Sequence, residues 1–428
     1  MKELLNSKFT GSVSVPGDKS ITHRAMMLGA LTKGETKITA PLISDDTLRT
    51  LACMEALGAT SRKTENDYII SSPGRDQLKS PEAQLYTGNS GTTTRLLTGL
   101  ITGLGLNASM NGDSSIEKRP MDRVAAPLRE MGADITLKDD KYPPIQIQSS
   151  PLHTIEYIMP VASAQVKSAI LFAGLFLDGK TIIHEESPSR NHSELMLSQF
   201  GADIKTEGNS VILNGGRELV NSDIVVPGDI SSAAFLMVLA AITPDSDITL
   251  NNVSLNDSRS GIIDVFEDMG VDFEITRHNN SGELYGDIRV KYTENLKPFN
   301  ISGDLIPRLI DEIPVLTLLA LSADGESRVD DAEELRFKET DRIRAVVDEL
   351  NKIGVSFDER EDGYTVKPAE IPDISKISFK GYHDHRIIMM LIIMAISSNQ
   401  EIHIDDPSAI SISYPNFLDD LKSIRGDK

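Results

Sequence analysis

Charged and polar side chains gather at recurring places in this chain, each time just ahead of an apolar stretch. Lys19 and Arg24 open one such stretch, Arg95 a second, Gln165 a third, Asp311 another, and His385 with Arg386 the last. Buried helices rarely begin with so many ionisable groups unless something polar sits there. A helix N-terminus offers free N–H groups and the positive end of a dipole, so several aimed at one place form an anion site. Gly17-Asp18-Lys19-Ser20 is not a purine-nucleotide phosphate loop, because it lacks the spacer and Gly-Lys-Ser order of that motif.

Three further clusters fit the same chemistry. Asn89-Ser90-Gly91-Thr92-Thr93-Thr94-Arg95 is a small-residue loop opening a helix. Capping alone would account for Ser90 or Thr92, but Gly91 also lets a ligand approach the backbone. Lys118-Arg119-Pro120-Met121-Asp122-Arg123 places basic groups ahead of another helix, where the alternative is a solvated charge run. Lys338-Glu339-Thr340-Asp341-Arg342 mixes both signs, as proton transfer beside an anion requires. His383-Asp384-His385-Arg386 has no third ligand at a usual metal-binding spacing, so it reads as a capping Asp384 with a hydrogen-bonded His385 and no metal. His23 is open between a buried structural histidine and a site group.

The elements that carry these residues repeat. From Ser20, Ser90, Ser163, Ser231, Asp311 and Asp384 the spacings are 70, 73, 68, 80 and 73 residues. A second marker keeps the same beat: an amphipathic helix stopped by glycine at Gly58, Gly132, Gly201, Gly270 and Gly354, with Gly426 as a weaker sixth. The chain therefore reads as six α/β units of about 70 residues, each a buried helix, a strand, an amphipathic helix and further strands. Val15-Pro16-Gly17-Asp18 returns as Val226-Pro227-Gly228-Asp229. That echo predicts two domains of three units each, 16–226 and 1–15 plus 227–428. A closed ring without chemistry, like a sliding clamp, is the alternative of a different class, but a scaffold has no need for polar helix starts.

Composition bounds the partners. In 428 residues, 43 Lys and Arg face 64 Asp and Glu, a formal net charge of −21. A duplex-coating protein needs the opposite balance. Cys53 is the single cysteine, which excludes an intrachain disulfide and a cysteine-based zinc cluster and fits a reducing compartment. The apolar runs 233–242 and 387–396 are too short for a bilayer, so buried helices are expected there. Met1 to Thr10 holds no apolar run, which argues against a secretory leader.

Taken together, these motifs resemble the 5-enolpyruvylshikimate-3-phosphate synthase family. The resemblance rests on Pro16-Gly17-Asp18-Lys19-Ser20 with His23-Arg24, Gly88 to Thr92, Lys118 to Met121, Ser163-Ala164-Gln165-Val166-Lys167, Ile310-Asp311-Glu312, Lys338 to Arg342 and Asp384-His385-Arg386. It spans essentially the whole chain in order. Arg190-Asn191-His192-Ser193-Glu194 resembles the class II bacterial branch, with Asn256-Asp257-Ser258-Arg259 a mild departure from that branch's Asn-x-Thr-Arg.

The resemblance implies two domains of three βαβαββ units with the active site in the cleft between them. It also implies transfer of enolpyruvyl from phosphoenolpyruvate to the 5-hydroxyl of shikimate 3-phosphate, without metal or organic cofactor. Lys19, Ser20, Arg24, Ser163, Gln165, Ser189, Asp311 and Lys338 would touch shikimate 3-phosphate. Lys19, Gly91, Arg119, Gln165, Arg342 and Arg386 would touch phosphoenolpyruvate. Asp311 and Glu339 would exchange protons across the cleft, with Lys19 and His385 beside them. Many relatives have a second serine at Ala164, and a lysine where this chain has Ile412. A cytoplasmic monomer acting on small molecules, with neither nucleic acid nor membrane as partner, completes the expectation. The rival within the chemistry is the transferase that uses UDP-N-acetylglucosamine and a mobile-loop cysteine; Cys53 sits instead in an amphipathic stretch.

Overall fold

A computed structural model describes residues 2–65, 67–278 and 283–426. Among these the strands form six sheets. The chain divides into two compact units, Gly17–Val226 and Met1–Pro16 with Pro227–Lys428.

Gly17–Val226 holds three copies of one motif. In the middle copy, strand Leu85–Tyr86 leads into helix Gly91–Gly103 and strand Ala108–Asn111. Helix Asp122–Glu130 and strands Asp134–Lys138 and Tyr142–Gln148 follow. The first two strands pair in parallel and the last two antiparallel. Parallel neighbours need a long crossover, and the apolar helix supplies it. The third copy runs the same way from Glu156–Met159 to Ser210–Asn214. The first copy lacks an opening strand of its own. Ile224–Val225, from the end of the unit, fills that place beside Gly34–Thr39.

The other unit repeats this arrangement. Lys8–Val13 is the opening strand for the copy that begins with helix Ile230–Ile242, pairing in parallel with Asp247–Ser254. Every residue from Ile230 to Ala241 is buried, which explains an apolar stretch with no polar face. Helix His385–Ser397 is likewise buried along nearly its whole length. Among the described residues no helix is long and apolar enough to cross a membrane.

The last copy is shortened. Helix Phe417–Ser423 passes directly into strand Arg425–Gly426, which pairs antiparallel with Lys8 and Phe9. Gly426 is therefore a strand residue and not the helix stop its position suggested, because the edge of Lys8–Val13 captures it. The other five marker glycines do have positive φ, from +74° to +116°.

Two site-bearing helices cross at unusually close range. A Cβ on Gly99 would lie 2.1 Å from the carbonyl oxygen of Ala169, and one on Gly103 would lie 2.8 Å from the Cα of Ala173. Two small residues on each helix thus let Gly91–Gly103 and Ala164–Gly174 touch backbone to backbone. Leucine at position 99 has no room there, and overpacking a tight core costs about 1–3 kcal/mol. Gly99→Leu should lower the urea unfolding midpoint accordingly; an unchanged midpoint would show that the crossing is looser than its geometry implies.

Candidate active site

The polar helix starts form one cluster in each unit. In Gly17–Val226, Asp18 caps helix Lys19–Leu31, its carboxylate accepting from the Ile21 amide at 2.9 Å. Lys19 Nζ lies 3.2 Å from Asp46 Oδ2, both side chains being mostly buried. Asp46 carried no signal in the sequence beyond an acid in the first turn of helix Asp45–Ala56, where the helix dipole favours it. Arg24 is only 3% exposed. Its Nε and Nη2 each donate at 2.7 Å, to Ser193 and Ser168 respectively, and Nη1 donates to the Ser20 carbonyl at 3.0 Å.

Ser90 caps helix Gly91–Gly103. A Cβ on Gly91 would lie 3.0 Å from Arg119 Nη1 and 3.1 Å from Arg95 Nη1, so glycine lets two guanidinium groups stand against this helix start. Arg95 also donates to Gln165 Oε1 at 2.6 Å, while Gln165 Nε2 donates to Thr92 at 3.1 Å. Gln165 is thereby oriented from both ends of its amide. Ser163 caps Ala164–Gly174. The amide and hydroxyl of Ser189 both donate to Glu185 Oε1.

His23 is fully buried and its Nδ1 lies 2.7 Å from the Thr50 hydroxyl. Thr50 is 2.7 Å from Thr93, which donates to Ser90 at 2.7 Å. Burial first, then Lys19 and Arg24, holds the imidazole well below its ordinary pKa. His23 is thus a neutral link in a hydrogen-bonded chain tying two helix starts together, which settles its role as structural. Burial pushes the Cys53 thiol up to about 12 against the opposing effect of Arg49, leaving an inert core side chain.

In the second unit one guanidinium gathers the acids. Arg342 is 1% exposed. Its Nε donates to Asp384 at 2.8 Å, Nη1 to Asp311 at 3.1 Å and Nη2 to Glu339 at 2.5 Å. Burial opposes its charge, yet Asp384, Glu339 and Asp311 together raise its pKa above the ordinary arginine value. Lys338 Nζ lies 3.4 Å and Arg386 Nε 3.9 Å from the same Asp311 oxygen. Arg386 Nη1 also donates to the Asp311 carbonyl at 3.2 Å. Asp384 caps helix His385–Ser397, accepting from the Arg386 amide, and His385 is buried beside it.

One expectation changes here. Asp311 does not open a helix but lies in the turn between Leu305–Leu309 and Ile313–Leu321, because Pro314 sets the start of the second. Asp311 and Glu339 both belong to Pro227–Lys428 and share Arg342. Ile412 packs against the apolar core, so nothing basic reaches out from that position. Among the described residues no group of three His, Cys, Asp or Glu side chains could hold a metal ion.

The family model described as EPSP synthase (3-phosphoshikimate 1-carboxyvinyltransferase) matches residues 5–421. A 3-phosphoshikimate 1-carboxyvinyltransferase from Staphylococcus carnosus is 45% identical over 422 residues, covering 98% of this chain and 97% of the relative. A solved EPSP synthase from Acinetobacter baumannii superposes with a TM-score of 0.86 at 39% identity, covering 98% of this chain and 96% of that one. The enolpyruvyl transferase NikO from Streptomyces tendae, at 15% identity and a TM-score of 0.80 over 98% of this chain and 96% of its own, shares the fold.

The buried His23 makes stability depend on pH. The folded imidazole resists protonation, whereas an unfolded one takes a proton near about pH 6.5. Below that value the unfolded state binds more protons, so stability should fall by up to about 1.4 kcal/mol per pH unit. His23→Asn keeps a polar atom near Thr50 and should flatten the decline in thermal midpoint between about pH 6.5 and pH 5.5. An identical slope in both proteins would show that His23 is not the group responsible.

Proposed function

The chain belongs to the EPSP synthase family, and on that premise we propose how its two residue clusters divide the work of the reaction. The reaction transfers the enolpyruvyl group of phosphoenolpyruvate to the 5-hydroxyl of shikimate 3-phosphate and releases phosphate. Both substrates are polyanions, and a chain at −21 must concentrate its positive charge locally to hold them. Arginine suits bidentate carboxylate and phosphate contacts, and lysine a point contact.

We assign shikimate 3-phosphate to Lys19, Ser20, Arg24, Ser163, Gln165, Ser189, Asp311 and Lys338. Phosphoenolpyruvate goes to Lys19, Gly91, Arg119, Gln165, Arg342 and Arg386. Each set draws residues from both units. The guanidinium pair above Gly91 and the oriented amide of Gln165 support the phosphoenolpyruvate assignment. A cytoplasmic monomer remains part of this reading; the lone buried Cys53 bears on the location alone, by fitting a reducing compartment.

The observation that carries the mechanism is the shared Arg342. Asp311 and Glu339 sit on the two terminal nitrogens of one buried guanidinium, 3.1 Å and 2.5 Å away. We assign Asp311 to take the proton of the attacking 5-hydroxyl and Glu339, entering this step as the protonated acid, to deliver its proton to the vinyl methylene carbon. In the elimination step that carbon gives a proton back as the C–O bond to phosphate breaks. We assign Lys19 and His385 to assist these transfers.

Phosphate release from phosphoenolpyruvate should occur with shikimate 3-phosphate and not with UDP-N-acetylglucosamine. Asp311→Asn and Glu339→Gln keep size and most hydrogen bonding but cannot relay a proton. Each should reduce turnover by roughly 10²–10⁴-fold, the range general acid–base catalysis supplies, with KM values little changed. Near-normal turnover in folded Asp311→Asn would remove it as the base.

Arg119 tests the anion assignment more cleanly than Arg386, which also braces the Asp311 carbonyl. Arg119→Ala should raise the KM for phosphoenolpyruvate by about 10- to 100-fold, the loss of one charge-assisted contact. Equal changes for both substrates would place Arg119 elsewhere.

A further inference from the structure

Lys167 is a buried cation with no part in the assignments above. Its Nζ lies 2.8 Å from Glu185 and 2.7 Å from Glu194, and the three side chains are 1%, 4% and 8% exposed. Nζ also donates to the Ser189 carbonyl at 3.3 Å. Glu185 divides its carboxylate: Oε2 meets Lys167, while Oε1 accepts from both the amide and the hydroxyl of Ser189. The next residue along the helix makes a parallel link. Ser168 Oγ lies 2.6 Å from Ser193 Oγ, and both hydroxyls accept from Arg24. Lys167-Ser168 on helix Ala164–Gly174 therefore meets Glu194-Ser193 at the start of helix His192–Gln199, residue against residue.

We infer that Lys167 is a positioning residue for shikimate 3-phosphate binding, acting through Glu185 on Ser189 and through Glu194 on the helix start that holds Arg24. The inference rests on the proposed contact between Ser189 and that substrate. Its physical basis is that Ser189 is gripped by one carboxylate whose other oxygen has a single fixed ammonium partner. Remove the ammonium and the carboxylate has reason to turn toward water, taking the Ser189 backbone and hydroxyl with it. Two buried carboxylates flanking one lysine are also more than fold stability requires, since an apolar trio of similar volume fills a core as well or better.

The test is steady-state kinetics on Lys167→Met, Ser189→Ala and their double variant. Lys167→Met should raise the KM for shikimate 3-phosphate by about tenfold, change the KM for phosphoenolpyruvate less than about threefold, and leave kcat within a similar factor. Because the two residues act in series, the double variant should bind shikimate 3-phosphate no worse than the weaker single variant. Multiplied effects in the double variant, or equal rises in both KM values, would reduce the triad to a structural role and overturn the inference. If Ser189→Ala raises the KM while Lys167→Met leaves it unchanged, the inference fails alone. If Ser189→Ala is silent, the assignment of Ser189 to the substrate fails and the inference falls with it. Should Lys167→Met not fold, Glu185→Gln leaves one carboxylate for the one ammonium and carries the same expectations with a smaller rise.

Discussion

The unit Pro227–Lys428 is organised around one buried guanidinium. Arg342 brings together Asp311 from a turn, Glu339 from the loop ahead of its own helix and Asp384 from a helix cap. Asp311, Asp384 and the 339–342 segment are far apart in sequence, and the apolar helices that follow them pack in one core. Desolvating one cation is tolerable only if its carboxylate partners are held at hydrogen-bonding distance, and the reverse holds for each acid. Any shift of the Asp384 cap therefore moves Arg342, and with it both carboxylates assigned to proton transfer. The mutual dependence keeps an acid and a base in place before substrate arrives, so that little reorganisation is left to the reaction itself.

Gly17–Val226 adds neutral hydrogen bonds to its own ion pairs. His23, Thr50, Thr93 and Ser90 form a chain connecting the helix start of Lys19 with that of Gly91. Keeping His23 uncharged matters, because a cation there would stand against Lys19 and Arg24. The backbone contact at Gly99 and Ala169 then brings Arg95 within reach of Gln165. Both units thus use charge compensation, and Gly17–Val226 adds close helix packing and a relay of hydroxyls. The acidic surplus of the chain lies outside these clusters, where solvent screens it.

The repeat, the fold class and, except at Asp311, the positions of the polar helix starts were legible in the order of residues. Each depends on local signals: apolar runs of helical length, capping residues and glycines that accept a left-handed stop. Ser90 and Asp384 cap the helices that their positions suggested, and in the structure Asp18 and Ser163 cap the helices of Lys19 and Gln165 as well. Cys53 in an amphipathic helix was likewise visible as a core residue, because periodicity alone assigns its face.

Partnerships between segments distant in sequence were not legible. Nothing local links Lys19 to Asp46, Arg24 to Ser168 and Ser193, or Lys167 to Glu185 and Glu194. Nor could spacing show that Asp311 and Glu339 share a guanidinium, since an ion pair is set by distance in space and by the dielectric around it. Gly426 was misread for a related reason: a glycine after a short helix serves equally as a stop or as a strand residue, and only the free edge of Lys8–Val13 selects the strand. The sequence by itself determined which residue types stand at each helix start, because caps and periodicity act over a few neighbours. The tertiary structure alone decided which of those residues compensate one another, because burial turns a weak solvated attraction into an obligatory pair.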